Sequence, residues 1–189
     1  MKIERLSFSF DQKQVFQDLN LEIEHGCITA LMAPSGKGKS TLLRLIAGLL
    51  KPQSGHIDTD AQSIGIMFQE PRLFGQLTAL QNVSLVIQDK GISKQRALQL
   101  LDAFGVADAA NKYPEELSGG MAKRVSLARA IAYDTDILLL DEPFSALDND
   151  TKQSVMAAAK PFLQGKTVLL VTHDIQEATS FADHIIQWN

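Results

Sequence analysis

The sequence predicts an α/β fold: a core built on a parallel sheet, an antiparallel β-ribbon at the N-terminus and a helical segment inserted into the core. Two continuous apolar runs, at 137–140 and 167–171, are typical of strands covered on both faces, as in a parallel sheet. Before residue 24 the apolar residues alternate, which indicates two antiparallel strands. At about 73–133 apolar residues recur at helical spacing instead, which indicates a helical insertion.

Composition is that of an ordinary globular domain. The chain has 189 residues, 45% hydrophobic and 21% charged, which predicts one domain over 1–189. A net charge of −4 lacks the positive field typical of nucleic-acid binders, so no nucleic-acid partner is expected. The single cysteine, Cys27, cannot form an internal disulfide, which favours a reducing compartment. No signal peptide or membrane helix is expected, because no apolar run approaches about 18 residues.

The elements alternate along the chain. A buried strand over 27–32 is followed by a glycine-rich turn and a helix over 40–50, which Pro52 ends. Short strands are expected at 56–57 and 64–68. Two apolar stripes predict helices in the inserted segment, and a further helix over 150–162 separates the two core strands. The stripes consist of Ala97, Leu98, Leu101 and Phe104, and of Met121, Val125, Ala128 and Ala132.

The glycine-rich turn has the pattern of a phosphate-binding loop between a strand and a helix. Gly36 and Gly38 let backbone N–H groups turn towards phosphate oxygens, and the helix N-terminus adds a favourable dipole. Lys39 is expected to reach the β- and γ-phosphates, and Ser40 to ligate Mg²⁺. Ala33 replaces the first glycine of the pattern, which a negative φ would tolerate. A flexible turn without a ligand is the alternative. The segment reads Ala33-Pro34-Ser35-Gly36-Lys37-Gly38-Lys39-Ser40-Thr41.

Two carboxylates follow the apolar run at 137–140. At the carboxyl end of a parallel strand, Asp141 and Glu142 would face the ligand crevice of the sheet. Asp141 is suited to hold Mg²⁺, and Glu142 to orient or deprotonate an attacking water. Many strands end in solvent-exposed carboxylates, so the upstream phosphate loop is what strengthens this interpretation.

A further motif opens the second predicted helix of the insertion. Leu117-Ser118-Gly119-Gly120 places a good capping residue, Ser118, ahead of two glycines that expose backbone N–H groups. An ordinary capped helix is the alternative interpretation.

Six motifs, in this order, resemble those of the ATP-binding cassette (ABC) ATPases, over about residues 10–183. The resemblance implies that ATP and Mg²⁺ bind, and that two cassettes dimerise head to tail around two ATP molecules. Leu-Ser-Gly-Gly ahead of Asp-Glu-Pro is the most specific part of the pattern. The motifs are the phosphate loop, Phe68-Gln69-Glu70, Leu-Ser-Gly-Gly, Leu-Leu-Leu-Asp-Glu-Pro, Ser145-Ala146-Leu147-Asp148 and Thr172-His173-Asp174.

The resemblance also implies roles for single residues. Phe10 matches the aromatic residue that stacks on adenine, although it could equally be a core phenylalanine. Gln69 matches the residue that senses Mg²⁺ and the attacking water, and His173 matches the one that contacts the γ-phosphate. Asp148 matches the loop that links the two sites of the dimer. The implied sets are Glu142, His173 and Gln69 for catalysis, Ser40, Gln69 and Asp141 for Mg²⁺, and Ser118, Gly119 and Gly120 for the γ-phosphate bound by the opposite subunit.

Two details depart from the family pattern. Met121 stands where a glutamine usually follows the signature glycines, so a polar contact is lost there. The stretch 55–69 is short, which predicts a trimmed β-subdomain. Since the chain ends soon after Asp183, no appended regulatory domain is expected.

The favoured function is the ATPase subunit of a membrane transporter of the importer type. Its expected partners are a separate permease, a second ABC subunit and a substrate-binding protein, and its expected location is the cytoplasmic face of the inner membrane. The run 68–74 resembles cassettes that serve small anions, sulfonates, thiamine or metal ions. Leu73, Phe74, Leu77 and Leu80 either line the groove for the permease or fill the helical core. The alternatives are a soluble ABC ATPase acting on nucleic acid or the ribosome, and a small-molecule kinase.

Overall fold

Two sheets organise the computed structural model, which describes residues 1–11, 13–34 and 36–188. A five-stranded parallel sheet forms the core and a three-stranded antiparallel sheet lies beside it, which confirms the predicted α/β class. The strands are β1 Lys2–Phe10, β2 Lys13–Glu22, β3 Ile28–Met32, β4 Ser54–Asp58, β5 Ile64–Met67, β6 Ile137–Asp141, β7 Thr167–Thr172 and β8 His184–Gln187; the helices of more than one turn are α1 Lys39–Ile46, α2 Ala79–Ser84, α3 Ser93–Ala103, α4 Gly119–Ala132, α5 Asn149–Leu163 and α6 Ile175–Phe181.

The predicted N-terminal ribbon acquires a third strand. β1 pairs antiparallel with β2 on one side and with β4 on the other, so the order is β2-β1-β4. Ile3, Leu6 and Phe8 of β1 are buried. The alternation of these residues with polar ones therefore reflects a sheet with one covered face.

The parallel sheet has the order β5-β6-β7-β3-β8. Every residue of β6 and β7 is buried, which explains their continuous apolar sequence. Because successive side chains point to opposite faces, the sheet separates two cores. Leu139 and Leu169 pack towards α1 and the ribbon, whereas Leu138 and Leu170 pack towards the helices on the other face.

The helical insertion forms as predicted, with one error in α3. Leu98, assigned to its buried face, is 38% exposed, and Leu100 is buried instead. The covered stripe runs through Ala97, Leu101 and Phe104 at i, i+4 and i+7, and Leu98 lies about 100° away from Ala97 around the helix.

The helix predicted over 40–50 is shorter than expected. α1 ends at Ile46 because Gly48 adopts φ 70°, and the N–H groups of Gly48 and Leu49 donate to the carbonyls of Leu45 and Arg44. This is a Schellman termination, for which glycine is the preferred residue. The helix is therefore ended by Gly48 and not, as expected, by Pro52.

Two elements near the end of the chain were not predicted, α6 and β8. β8 is an edge strand of four residues that pairs in parallel with β3. His184 and Ile185 are both exposed in it, so its sequence has neither an alternating nor a continuous apolar pattern. Among the residues that the structure describes, no helix combines the length and apolar character that crossing a bilayer requires.

Candidate active site

The predicted site segments meet at one edge of the parallel sheet. The phosphate loop follows β3, Gln69 follows β5, Asp141 ends β6, and His173 follows β7. Since these strands are parallel neighbours, their carboxyl ends lie along the same edge, where α/β sheets bind their ligands.

The loop between β3 and α1 has the backbone of a phosphate cradle. Gly36 and Gly38 have φ of 81° and 94°, a region that only glycine enters without strain. A Cβ atom at Gly38 would lie 2.5 Å from Val15 Cγ1, so packing against β2 also demands glycine. Ala33 is buried and is not among the described residues with positive φ, so its replacement of glycine carries no backbone strain. Ser35, predicted as a nucleotide ligand, lies outside the described residues.

The amino group of Lys39 is held over this loop. Its Nζ donates to the carbonyl oxygens of Ala33 at 2.7 Å and Pro34 at 3.0 Å, and the residue is 7% exposed. Of the neighbouring residues, Thr41 is buried and Lys37 is exposed. A cation fixed over a turn with two positive-φ glycines at a helix N-terminus has the arrangement that binds phosphate oxygens.

The first of the two strand-end carboxylates is almost completely buried. Asp141 is 5% exposed, and burial raises its pKa, while the hydrogen bond from the Ser40 hydroxyl opposes that rise. The burial of a carboxylate next to a hydroxyl provides an all-oxygen pair of ligands, which suits a hard divalent cation.

Glu142 occupies the centre of a second cluster. Gln69 Nε2 donates to Glu142 Oε2 at 3.3 Å, and His173 Nδ1 lies 3.1 Å from Glu142 Oε1. The side chain of Glu142 is 15% exposed. The structure thus brings together the three residues predicted for catalysis.

The backbone of Glu142 is strained. Its φ of 47° is uncommon outside glycine, and its N–H donates to Val171 O of β7 at 2.9 Å. Residues held in such conformations cluster at functional sites, where the surrounding structure maintains them. This hydrogen bond to β7 and the hydrogen bond from Ser145 Oγ to Glu142 O at 2.9 Å hold the turn beside His173.

Lys123 is a residue of the site that was not predicted from the sequence. Its Nζ donates to Gln69 O at 2.5 Å, and the residue is only 3% exposed. Burial lowers the pKa of Lys123, while the nearby carboxylates of Asp141 and Glu142 oppose the change. The one hint in the sequence was that Lys123 lies on α4 only two residues before the buried Val125. The adjacent Arg124 made the pair look like an ordinary exposed basic segment.

Lys123 belongs to a row of side chains on α4 that fixes the segment carrying Gln69. Ser126 Oγ and Arg129 Nη2 both donate to Pro71 O, each at 3.0 Å. The three side chains lie at i, i+3 and i+6 on one face of the helix. The helix that begins at the signature therefore holds the segment that presents Gln69.

The signature itself lies apart from this cluster. Ser118 caps α4 by accepting from Met121 N at 3.2 Å, and Gly119 is exposed. A Cβ atom on Gly120 would lie 3.3 Å from Leu147 Cδ2, so the glycine permits close approach to the segment before Asp148. Within the part of the chain described, the signature makes no hydrogen bond to the phosphate loop or to Glu142.

Asp148 and Phe10 are both exposed. The Asp148 carboxylate accepts from Thr151 N at 2.9 Å and caps α5. Hydrogen bonds from the backbone N–H and the side chain of Thr151 lower the pKa of Asp148. Phe10 is 45% exposed and makes an edge contact with Phe8, with ring centroids 4.8 Å apart. It is therefore not a core phenylalanine, and its role in stacking stays a prediction.

The fold and the site define a nucleotide-hydrolysing protein with a phosphate-binding loop. The family model for ABC transporters matches residues 16–145. The chain belongs to the ABC transporter family, and it is an ATP-hydrolysing subunit of that class. The comparisons give no support to the nucleic-acid or ribosome alternative.

Three relatives illustrate the match. An aliphatic sulfonates import ATP-binding protein of Pseudomonas fluorescens is 43% identical over 98% of this chain and 72% of its own length. One of the same name from Rhodococcus jostii is 42% identical over 91% of this chain and 72% of its own length. A sulfate/thiosulfate import protein of Mesostigma viride is 38% identical, over 99% of this chain and 58% of its own length.

Solved structures agree with this assignment. The dimeric post-hydrolysis state of the ATP-binding cassette MJ0796, bound to ADP and Pi, has a TM-score of 0.86 and 34% identity, covering 100% of this chain and 94% of that one. The cassette cbiO1 of Clostridium perfringens, part of the cbiONQ transporter complex, has a TM-score of 0.82 and 29% identity, over 98% of this chain and 83% of that one.

Proposed function

We propose that Glu142 activates the water that attacks the γ-phosphate of ATP, and that this reaction powers import through a separate permease. The observation that carries the proposal is the Glu142 carboxylate, held between Gln69 and His173 at the strand end beside the phosphate loop. A general base needs a carboxylate within hydrogen-bond reach of the water. Gln69 is placed to orient that water, and His173 to contact the γ-phosphate.

The same edge of the sheet supports the binding of ATP. Lys39 exchanges its two carbonyl partners for β- and γ-phosphate oxygens, and the N–H groups of residues 36–41 surround the phosphates. The exposed ring of Phe10 stacks on adenine. The proposed nucleotide ligands are Phe10, Pro34, Ser35, Gly36, Lys37, Gly38, Lys39, Ser40 and Thr41.

Mg²⁺ is the metal that fits the oxygen ligands at this site. Ser40 provides a hydroxyl, Asp141 a buried carboxylate and Gln69 an amide oxygen, and Mg²⁺ prefers such hard oxygen ligands. When bound, the ion neutralises charge that develops on the β- and γ-phosphates.

Dimerisation completes the site. Gly120 lies beside Ala146 and Leu147. Ser118, Gly119 and Gly120 are exposed or half-buried and belong to the helical insertion rather than to the chain's own phosphate loop. A second copy placed head to tail supplies its signature to the γ-phosphate, and Asp148 lies next to that contact. ATP then stabilises the dimer, and hydrolysis releases it because the γ-phosphate contacts disappear.

The cargo we propose is a small anion of the sulfonate or sulfate class, delivered by a substrate-binding protein. Support comes from the relatives, two of which are named for importing aliphatic sulfonates and one for importing sulfate and thiosulfate. The subunit works as a peripheral protein at the cytoplasmic face of the inner membrane.

The permease contacts the helical insertion around Phe74. This side chain is 45% exposed, with Arg129 5.6 Å from its ring centroid, whereas Leu73 and Leu80 pack partly against the helical core. Of the four candidates for the groove, Phe74 is therefore the best docking residue, and Leu77 is half-buried.

Copurification from solubilised membranes tests the proposed transport role. Tagged wild-type chain should recover a multi-span membrane protein, and Phe74→Ser should recover at least tenfold less of it. Leu49→Ser is the matched control, because Leu49 is an exposed apolar residue after α1, outside the insertion. Recovery of ribosomes or DNA instead of a membrane protein would reject the transport role.

A further inference from the structure

A cluster of metal-binding side chains lies on the sheet edge opposite the active site. Glu24, Cys27 and His184 each offer one ligand atom, and these three atoms all lie within 4.8 Å of one another. His184 Nε2 is 2.9 Å from Glu24 Oε2. Cys27 precedes β3 and His184 begins β8, so the cluster lies at the amino ends of these strands.

Sheet pairing, rather than side-chain contact alone, sets these positions. β3 and β8 are parallel neighbours, with Thr29 opposite His184. Asp183 N donates to Ile28 O at 2.8 Å, and Ile28 N donates to the Asp183 carboxylate at 2.8 Å. The backbone therefore holds the residues beside Cys27 and His184 together before any ligand binds.

We propose that Glu24, Cys27 and His184 form a site for a divalent transition-metal ion of the zinc type. A thiolate, an imidazole and a carboxylate are the ligands that Zn²⁺ takes in proteins, whereas Mg²⁺ and Ca²⁺ prefer oxygen ligands alone. The site is thus chemically distinct from the all-oxygen set at Ser40 and Asp141.

The geometry suits such an ion. Zinc bonds of about 2.0–2.3 Å place tetrahedral ligand atoms about 3.3–3.7 Å apart. Since Glu24 and His184 have side chains 65% and 50% exposed, small rotations bring the three atoms to that spacing. Three protein ligands leave the fourth position to water.

Metal binding ties three segments together. Glu24 follows β2 of the antiparallel sheet, Cys27 leads into the central sheet, and His184 opens the edge strand. An ion bound to all three joins the junction of the two sheets to β8. Zinc at about a hundred times its dissociation constant should raise the melting temperature by about 5–10 °C.

A cobalt titration of the nucleotide-free protein, with its thiol reduced, is the direct test. Co²⁺ should produce a thiolate-to-cobalt charge-transfer band at one ion per chain. That band can only come from Cys27, the single cysteine. Cys27→Ser should abolish it, and His184→Gln should weaken cobalt binding at least tenfold.

His56→Gln is the matched control. His56 also lies beside a carboxylate, with Nε2 3.3 Å from Glu4 Oε2 in an exposed pair on the antiparallel sheet. This variant should bind cobalt as tightly as the wild type. The proposal is overturned if no charge-transfer band appears, if one cobalt ion binds per two chains, or if His184→Gln binds like the wild type. ATP binding by every variant verifies that it is folded.

Discussion

Two pairs of carboxylates lie at the carboxyl ends of neighbouring strands of the parallel sheet, and their environments differ. Asp141 ends β6 and Glu142 follows it; burial raises the pKa of Asp141, and the partners of Glu142 are the amide of Gln69 and the ring of His173. Asp174 and Glu177 follow β7, where Lys152 Nζ lies 2.7 Å from Asp174 Oδ2 and 2.8 Å from Glu177 Oε1.

The pair after β7 joins α5 to α6. Lys152 is 13% and Glu177 4% exposed, and Thr172 Oγ1 also donates to Glu177. The hydrogen bond from Lys152 is the main cause that holds the pKa of Asp174 below its ordinary value. Such a satisfied network stabilises the fold. Among the described residues, no lysine or arginine forms an ion pair with Asp141 or Glu142, which leaves their oxygen atoms available for a ligand.

Removal of the Glu142 carboxylate should have the largest effect. Glu142→Gln should lower kcat for ATP hydrolysis by about 10²–10⁴-fold, because the general base is lost, while ATP still binds. Steady-state phosphate release measures the change. Glu22→Gln is the control, since Glu22 is exposed at the end of β2. A kcat within tenfold of the wild type would remove Glu142 from the role of base.

Removal of the Lys39 amino group from the phosphate loop should weaken the binding of ATP. Lys39→Ala should weaken ATP binding by about 10–100-fold, because charge-assisted hydrogen bonds to the phosphates are worth about 1.5–3 kcal/mol. Equilibrium titration with a fluorescent ATP analogue measures the affinity. Lys51→Ala, at an exposed lysine after α1, should bind normally. Unchanged affinity in Lys39→Ala would contradict the assignment.

Removal of the lysine that pairs with Asp174 and Glu177 should lower the stability of the fold rather than its activity. Lys152→Met should lower the free energy of unfolding by about 2 kcal/mol at neutral pH, because the carboxylates of Asp174 and Glu177 lose their cationic partner. The depressed pKa of Asp174 contributes stability above its unfolded pKa of about 3.9, and this contribution is lost as the pH falls. Urea unfolding at pH 6 and pH 3 should therefore show a smaller acid-induced loss in the variant.

Lys160→Met is the control for this prediction, since Lys160 is exposed on the same helix. Its stability should match that of the wild type at both pH values. An equal loss of stability on acidification in Lys152→Met and the wild type would show that Lys152 does not set the behaviour of Asp174.

The smallest expected effect is on the rate of hydrolysis after substitution of Lys123. This side chain donates to Gln69 O and lies near the carboxylate of Asp141. Lys123→Met should lower kcat about tenfold, because Gln69 O loses its donor. Lys123→Gln, which can still donate, should recover part of the rate. The KM for ATP should change less than kcat. Equal rates in both variants and the wild type would contradict a positioning role.

Local sequence patterns predicted the motifs that act within a few residues of one another. Gly38 and Lys39, and likewise Asp141 and Glu142, derive their positions from a strand end and the turn after it. The end of α1 was placed too late because Gly48 was not recognised as its stop. Leu98 was misplaced because a short apolar run fits two neighbouring helical stripes.

Contacts between distant segments could not be predicted in the same way. The hydrogen bond between Lys123 and Gln69 depends on how α4 packs against the end of β5. The cluster of Glu24, Cys27 and His184 depends on an edge strand, β8, whose sequence has no clear pattern. Tertiary pairing, rather than spacing in the chain, determines both.

The central claim is that Glu142 serves a site that a second copy of the chain completes. Light scattering of the Glu142→Gln variant with Mg²⁺ and ATP tests this most directly. We expect a species of twice the 20.7 kDa monomer mass, with two ATP molecules trapped per dimer. The double variant Glu142→Gln/Ser118→Arg should remain monomeric under the same conditions. A monomer that is saturated with ATP, or a dimer that forms equally well without nucleotide, would contradict it.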